Sequence, residues 1–253
     1  MAGTVHLHRD GAVATLTLDN AAKRNSLDLA MCASLVGAAR AIAADETLGA
    51  VLLTGAGERA FCAGADFDAI TAGDIAAAMR GMDAALDEAV AALSRIEIPI
   101  VAAVNGACFG GGVQMMLVAD IRLASDDARF GIPAASLGIV YPLSAIAEMI
   151  RSAGPGAAAH FLLSGEPIDA ARALALGFVA RVVPKTDLAG EAMALARRIG
   201  EGPRAAARAY KAVIRGIAEG RATSDLRALQ QRAHESPEMV ERLKAVAAQR
   251  AKR

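Results

Sequence analysis

An uncharged stretch with three consecutive glycines most strongly limits how this chain can fold. It spans residues 98–119 and reads IPIVAAVNGACFGGGVQMMLVA. Its first part suits a strand buried on both faces, because Ile100, Val101 and Val104 are apolar and β-branched. The glycines carry no side chain that would keep a ligand away from the main chain. We therefore predict a buried strand, a glycine turn and then a helix from Val113 onward.

The three glycines, Gly110, Gly111 and Gly112, would lie at the start of that helix. The first backbone N–H groups of a helix have no partner within it, and the helix dipole adds positive potential at the same end. Such a helix end favours negative charge on a bound ligand. We predict an oxyanion hole here, meaning a set of N–H groups aimed at an oxygen that becomes anionic during a reaction.

Two other interpretations of this stretch fail on its details. A membrane-spanning helix needs about 20 apolar residues, but Pro99, Asn105, Gln114 and the glycines interrupt the run. A loop for nucleotide phosphates needs G-x-G-x-x-G spacing or a Lys-Ser/Thr pair after the glycines, and the stretch has neither. A buried strand, turn and helix explains the composition better.

Composition and charge limit the classes of partner. The formal net charge is zero, so no overall field would attract nucleic acid or an anionic membrane. With six phenylalanines, two tyrosines and no tryptophan, the chain lacks aromatic platforms for single-stranded nucleic acid.

Cys32, Cys62 and Cys108 are widely spaced and suit buried, reduced thiols. The first ten residues lack the apolar core of a signal peptide. We expect a cytoplasmic protein with neither nucleic-acid nor membrane partners.

Strand and helix patterns alternate along the first two thirds of the chain, which indicates α/β architecture. Residues 5–18 are predicted to form a hairpin around Arg9-Asp10-Gly11, followed by a helix over 27–43 capped by Ser26 or Asp28. Further strands are predicted at residues 50–53, 121–124, 128–130 and 178–183. Further helices are predicted over residues 74–95, 143–151, 155–163, 169–176, 188–199, 203–218 and 223–234, and from 237 to the end.

Four stretches, in this order, resemble motifs of the crotonase superfamily, also called the enoyl-CoA hydratase/isomerase family. KRNSLDLAM at residues 23–31 is similar to the N-terminal CoA-site motif of that family, and AFCAGADF at 60–67 to its first oxyanion-hole motif. VNGACFGGGVQMMLVAD at 104–120 is similar to the second oxyanion-hole motif. ALALGFVARVVP at 173–184 is similar to the late helix and strand. The resemblance covers nearly the whole chain.

The resemblance implies an α/β fold with a crotonase-like spiral of ββα units over residues 1–190. A C-terminal helical region over residues 191–253 would follow, contributing to trimerisation and closing the CoA site. The implied assembly is a homotrimer or a hexamer, and the implied ligand is an acyl-CoA thioester. No metal and no separate cofactor is expected, because coenzyme A is part of the substrate.

The resemblance also assigns roles to individual residues. The thioester oxygen would accept hydrogen bonds from the backbone N–H groups of Ala63 and Gly111. Three residues would lie along the CoA: Lys23, Arg24 and Asn25. Other positions expected to contact the ligand are Ala65, Asp66, Phe67, Gly110 and Ala134, although the family pattern favours a structural hydrogen-bonding role for Asp66 and for Asp120.

Basic side chains concentrate in the later predicted helices. Arg197, Arg198, Arg204, Arg208, Lys211 and Arg215 are offset only by Glu201. These side chains are candidates for contacts with the phosphates of CoA. The alternative is that they form a solvated helix face.

The acid/base positions depart from the pattern of a hydratase. Hydratases of the resembled family use two glutamates to position and activate water, and the matching positions here hold Gln114 and Ala134. Glutamine hydrogen-bonds to water but cannot take its proton, and alanine does neither. Where dehalogenase-like and dienoyl-isomerase-like members carry an aspartate, this chain has Pro142. Hydration and those two reactions are therefore disfavoured.

Tyr141 suggests a different reaction. SLGIVYP at residues 136–142 resembles a segment of the family's methylmalonyl-CoA decarboxylases, in which a tyrosine faces the substrate, although those enzymes have a histidine at the position of Ala65. Loss of carbon dioxide from a malonyl-type thioester forms the enolate without a base, so an oxyanion hole and a proton from Tyr141 or water would suffice. Three alternatives stay open: a tyrosine that only packs, double-bond isomerisation by an unidentified group, and a non-catalytic acyl-CoA binding or carrier protein.

Overall fold

The computed structural model of the chain describes residues 3–250. Strands and helices alternate up to residue 183, and helices make up the remainder. The strands are β1 (Thr4–Asp10), β2 (Val13–Asp19), β3 (Ala50–Gly55), β4 (Ala60–Cys62), β5 (Ile100–Val104), β6 (Ala107–Phe109), β7 (Ile121–Ser125), β8 (Arg129–Gly131), β9 (Ile168–Asp169) and β10 (Arg181–Val183). The helices are α1 (Leu29–Ala44), α2 (Phe67–Thr71), α3 (Ile75–Ser94), α4 (Gly111–Leu117), α5 (Leu143–Ser164), α6 (Ala170–Ala175), α7 (Lys185–Gly200), α8 (Arg204–Ala218), α9 (Thr223–His234) and α10 (Pro237–Arg250).

The strands form two sheets. One has six strands in the order β1-β2-β3-β5-β7-β10, and the other has four in the order β4-β6-β8-β9. The hairpin β1-β2 is antiparallel, whereas β2, β3, β5, β7 and β10 run parallel to one another. Successive strands β3 and β4, then β5 and β6, then β7 and β8, alternate between the large and the small sheet, each pair being followed by a helix. This repeat is the predicted spiral of ββα units, and the α/β prediction is confirmed.

Alternating side chains on the central strands fill two cores. Val51 and Leu53 of β3 face the larger core, which also holds buried residues of α1, α3 and α4. Ala50 and Leu52 face the other side, where α7 packs. Both faces of the sheet are therefore covered, and this explains why its strands have continuous apolar sequences.

Helix α7 belongs to this core. Leu188, Ala192 and Ala196 are buried against strand residues such as Val101 and Leu123. The predicted boundary between residues 190 and 191 falls inside α7. Helix α7 thus packs as part of the core, and the division of the chain at this boundary stays a prediction.

Buried ionic contacts attach α8 to the core. Lys211 donates to the Ile98 carbonyl at 2.9 Å and lies 2.9 Å from a carboxylate oxygen of Asp120. Arg215 donates to the Ser94 and Val118 carbonyls. Asp120 in turn accepts from the Ile100 N–H at 2.8 Å, as its predicted structural role requires. Lys211 and Arg215 are thus engaged inside the protein, and the expectation that these two meet CoA phosphates is wrong for this structure.

Most predicted elements are present, with bounds shifted by a few residues. Asp28 and Asp74 cap α1 and α3, each accepting an N–H from the first turn. Helix α5 is interrupted at Gly154 (φ 79°, ψ 163°), so its two halves match the two helices predicted there. Helix α2 and the short strands β4, β6 and β9 were not predicted. No helix within residues 3–250 is both long enough and apolar enough to cross a membrane.

Candidate functional site

The first glycine turn connects β4 to α2 and contains residues 63–66. Gly64 has φ 99°, in the region that favours glycine. The carbonyl of Gly64 accepts from the Leu27 N–H at 2.7 Å, and the Asp66 N–H donates to the Leu27 carbonyl at 2.8 Å. Successive residues of an extended segment point their N–H groups to opposite sides. The N–H of Ala65 therefore points away from Leu27.

Ala63 does not offer the predicted donor. Its N–H donates to the Arg24 carbonyl at 3.0 Å and so ties the first turn to the loop before α1. The N–H of Ala65 has no acceptor among residues 3–250, and its nitrogen would lie 3.9 Å from a Cβ built on Gly111. The residue of this turn that faces the second glycine turn is Ala65, two positions later than predicted.

The second glycine turn connects β6 to α4. Gly110 has φ 54° and ψ −124°, and its N–H donates to the Gly131 carbonyl at 2.9 Å. Gly111 is the first residue of α4, so its N–H has no partner within the helix. The helix starts two residues earlier than predicted, which places Gly111 rather than Val113 at its positive end.

The two turns are packed backbone to backbone. A Cβ built on Gly64 would lie 3.4 Å from the Gly111 nitrogen, and one built on Gly112 would lie 2.2 Å from the Cys62 carbonyl oxygen. Larger residues at Gly112 would therefore separate the turns. The absence of side chains brings the Ala65 and Gly111 N–H groups to one place, as an oxyanion hole requires.

Gln114 and Ala134 are both buried, at 4% and 6% exposure. Gln114 lies one helical turn after Gly111, and its side-chain N–H donates to Asp87 Oδ1 at 3.3 Å. The Ala134 carbonyl accepts from the Leu137 and Ile139 N–H groups. At positions 114 and 134 this site thus has an amide bound to a carboxylate and a methyl group.

Asp83 and Asp87 were not predicted as site residues. They lie four residues apart on α3, on a half-buried face beside the apolar residues Met82 and Leu86. Burial, and then the charge of Asp87, raises the pKa of Asp83 above its usual value. The sequence carried a signal, because two aspartates at i and i+4 interrupt the apolar stripe of MDAALDEAV.

The Tyr141 hydroxyl lies at the second glycine turn, 3.3 Å from a Cβ built on Gly110. The side chain is half-buried and packs against the larger core. Burial, then the charge of Asp83, raises the pKa of Tyr141, so its hydroxyl is neutral at physiological pH. The structure brings this predicted residue to the turn, where its ring packs and its hydroxyl adjoins the site.

The three residues predicted to lie along CoA have different environments. Lys23 pairs with Asp66 at 2.7 Å and with Asp68 at 2.9 Å. Asn25 is buried, and its side chain accepts from the Asn20 N–H and donates to two carbonyls. Arg24 is exposed, in the left-handed conformation at φ 54°. The Asn25 side chain is therefore engaged within the protein, and Arg24 is the cation of this group that has no carboxylate partner among residues 3–250.

Asp66 and Phe67 begin α2. Asp66 accepts from the Asp68 N–H at 3.1 Å as the helix cap, besides pairing with Lys23. Its carboxylate is thus fully engaged in structural contacts. Phe67 is 57% exposed at the surface.

A cavity of about 360 Å³ lies between α3, α4 and α5. Gln114 and Asp87 form part of its wall, and its apolar lining suits an acyl chain. Glu148 and Arg151, which pair with each other, also line it. Its other lining residues are Val90, Ala91, Ser94, Leu117, Val118, Ser144 and Ala145.

A larger cavity of about 660 Å³ lies away from the glycine turns, between the end of α3 and helices α8 and α9. Arginines line much of it, including Arg208 and Arg215. Of the six basic residues noted in the sequence, three therefore line this cavity, namely Arg208, Lys211 and Arg215.

The cysteines are buried and unpaired. Burial raises the pKa of Cys32 to about 11 and that of Cys62 to about 12. Burial also raises the pKa of Cys108 well above its usual value. The thiolate form is therefore scarce at neutral pH, and the prediction of buried, unreactive thiols is confirmed.

The model of the enoyl-CoA hydratase/isomerase family matches residues 8–250. The chain is 34% identical over 221 residues to a carnitinyl-CoA dehydratase from Proteus mirabilis, covering 87% of this chain and 83% of that protein. It is 34% identical over 207 residues to a 2,3-dehydroadipyl-CoA hydratase from Escherichia coli, covering 82% of this chain and 80% of that protein. A solved enoyl-CoA hydratase from Bacillus anthracis superposes with a TM-score of 0.90 at 27% identity, covering 98% of this chain and 97% of that one.

Proposed function

We propose that this chain, which belongs to the enoyl-CoA hydratase/isomerase family, moves a carbon–carbon double bond within an acyl-CoA thioester by way of an enolate. The observation that carries the proposal is the convergence of the Ala65 and Gly111 N–H groups at the glycine turns. Removing one such donor from an enzyme typically costs about 3–4 kcal/mol of transition-state stabilisation. Two fixed donors suit the developing negative charge on a thioester oxygen.

Hydration fits this site poorly. It needs a base to activate water and an acid to protonate the carbon next to the thioester. Neither Gln114 nor Ala134 can transfer a proton. The similarity to proteins named as a dehydratase and a hydratase of CoA esters therefore supports the CoA thioester as the ligand.

Between isomerisation and decarboxylation, the charges favour isomerisation. Asp83 and Asp87 lie beside the site, and Glu148 lines the adjoining cavity, where Arg151 is already paired with it. A malonyl-type carboxylate would meet like charges there. A neutral enoyl chain would not, and a carboxylate can carry the proton that an isomerisation must move.

Within the described part of the chain, the loop before α1 offers one cation without a carboxylate partner for the CoA portion. Arg24 is exposed, whereas Lys23 is paired with two carboxylates. We therefore assign the contact with a CoA phosphate to Arg24, whose guanidinium suits phosphate geometry.

The test is a panel of CoA esters given to the purified protein: 3-enoyl, trans-2-enoyl, dienoyl and malonyl-type. Chromatography separates double-bond isomers, and mass spectrometry detects added water or lost carbon dioxide. Conversion of a 3-enoyl ester into its 2-enoyl isomer is expected. Decarboxylation as the main reaction would replace this proposal, and binding without any product would indicate a carrier protein.

A matched pair of variants tests the oxyanion hole itself. Proline at Gly111 removes the N–H donor at the first position of a helix, where proline is tolerated. Gly111→Ala keeps the donor and adds only the Cβ, which would lie 3.0 Å from Leu86 Cδ2. A loss of about 10²–10³-fold is expected for the proline variant relative to the alanine variant. Equal activity of the two would show that the Gly111 N–H takes no part.

A further inference from the structure

The carboxylate missing at Gln114 is present one side chain away, on a neighbouring helix. Asp87 of α3 accepts from the Gln114 side chain at 3.3 Å. Its environment is half-buried, and it lines the 360 Å³ cavity together with Gln114. Residue 114 has an amide, which does not ionise. Its contact with Asp87 places an ionisable carboxylate directly beside that amide.

Two side chains donate hydrogen bonds to the same oxygen of this carboxylate. The Gln114 Nε2 and the Ser144 Oγ, at 3.5 Å, both approach Asp87 Oδ1. Among the described residues, none donates to Asp87 Oδ2. One oxygen is therefore held by α4 and α5, and the other is left for a proton.

The carboxylate is close to the predicted oxyanion hole. Leu86, the residue before Asp87, would lie 3.0 Å from a Cβ built on Gly111. Gln114 is three residues after Gly111, and side-chain positions with this spacing on a helix are about 5–6 Å apart. Asp87 thus lies on the part of α3 that packs against Gly111, and the Gln114 side chain connects it to α4.

We propose that Asp87 is the group that moves the proton during isomerisation, and this rests on the proposed function. Its carboxylate takes a proton from the carbon next to the thioester of a 3-enoyl-CoA. The electron pair of the broken C–H bond forms the enolate, with its charge on the thioester oxygen at Ala65 and Gly111. The Asp87 carboxyl then gives the proton to the far carbon of the double bond, the thioester carbonyl reforms, and the 2-enoyl product leaves Asp87 ionised again.

The charged groups around Asp87 fit a proton carrier. Asp83 lies one turn earlier on α3, while Glu148 and its partner Arg151 project from α5. Asp83 and Asp87 repel each other's charge, which is part of why the pKa of Asp83 is raised. The two carboxylates thus share one face of α3.

The experiment measures two rates with named probes. One is the conversion of hex-3-enoyl-CoA into its 2-enoyl isomer, and the other is the exchange of deuterium from D₂O into the carbon next to the thioester of hexanoyl-CoA. Exchange needs only enolate formation, so it does not depend on the natural acyl group. The variants are Asp87→Asn, Asp83→Asn and Glu88→Gln, the last removing an exposed carboxylate of the same helix. Binding of hexanoyl-CoA is measured for each by calorimetry.

Asp87→Asn is expected to lower both rates about 10²–10⁴-fold without loss of binding. Glu88→Gln is expected to match the unaltered protein. Asp87→Glu and Asp87→Gln form a second pair, whose side chains are of equal size. Only the carboxylate variant should retain exchange, and this pair tests the role of Asp87 if the asparagine variant does not fold.

Two results would overturn the proposal in distinguishable ways. If the unaltered protein isomerises and exchanges but Asp87→Asn does so equally well, Asp87 is not the proton carrier, and a loss confined to Asp83→Asn would assign that role to Asp83. If the unaltered protein binds hexanoyl-CoA but neither exchanges nor isomerises, the proposed function fails together with this inference.

Discussion

Single residues decide which reactions this site can support. The backbone donors of Ala65 and Gly111 depend on two turns in which glycines allow close packing. The proton chemistry depends on which side chains surround them, and here an amide at Gln114 contacts the carboxylate of Asp87. The backbone donors and the acid/base group are therefore set by different residues of the chain.

At this scale, Asp83 gives a prediction about pH. The pKa of Asp83 is raised in the folded protein, so its ionisation favours the unfolded chain. Stability is then fully retained below the unfolded pKa of about 3.9 and declines as pH rises from there through the folded pKa. Because asparagine does not ionise, Asp83→Asn removes this loss of stability. We expect a higher melting temperature at pH 7 and little difference near pH 3, measured by calorimetry; a lower melting temperature at pH 7 would contradict the assigned environment.

Tyr141→Phe separates a proton donor from a packing residue. The swap keeps the ring in the core and deletes the hydroxyl at Gly110. Because Asp87 is assigned the proton, we expect isomerisation to fall by about tenfold or less, as for loss of one neutral hydrogen bond. A loss of about 10²–10⁴-fold in steady-state kinetics would instead make Tyr141 the donor and revive decarboxylation as the reaction.

At the scale of elements, the features that could be predicted from the sequence are those set by short local patterns, such as the starts of helices. Asp28 and Asp74 mark the starts of α1 and α3, and the glycine triplet marks the start of α4 at the site. The contact between Gln114 and Asp87 joins residues 27 positions apart on different helices, so no local pattern predicts it. The choice of Ala65 over Ala63 likewise depends on the pairing with Leu27 and Arg24, which exists only in the folded chain.

The docking of α8 gives a prediction about elements. Lys211 is 7% exposed and contacts Asp120 and the Ile98 carbonyl. Lys211→Met keeps much of the side-chain volume but leaves Asp120 without its closest cation. We expect a loss of about 3 kcal/mol in the free energy of unfolding, measured with urea. The control Lys244→Met, at an exposed position of α10, should change it little; equal effects would show that the buried pair adds nothing.

The whole molecule exposes apolar side chains on its C-terminal helices. Tyr210, Ile214 and Ile217 of α8 are 70%, 64% and 66% exposed. Their spacing places them on one helix face. Faces of this kind are commonly covered by neighbouring subunits. We expect a homotrimer or a hexamer by light scattering at micromolar concentration, and Ile214→Lys with Ile217→Lys should weaken it; a monomer in the unaltered protein would contradict the prediction.

The most direct test of the proposed isomerisation compares two reactions of the unaltered protein in one buffer. The first is isomerisation of hex-3-enoyl-CoA, and the second is hydration of crotonyl-CoA. Each positioned acid or base contributes about 10²–10⁴-fold to a rate, and neither Gln114 nor Ala134 can transfer a proton, whereas Asp87 can. We therefore predict that kcat/KM for isomerisation exceeds that for hydration by at least about 100-fold. Hydration as fast as isomerisation, or faster, would contradict the account.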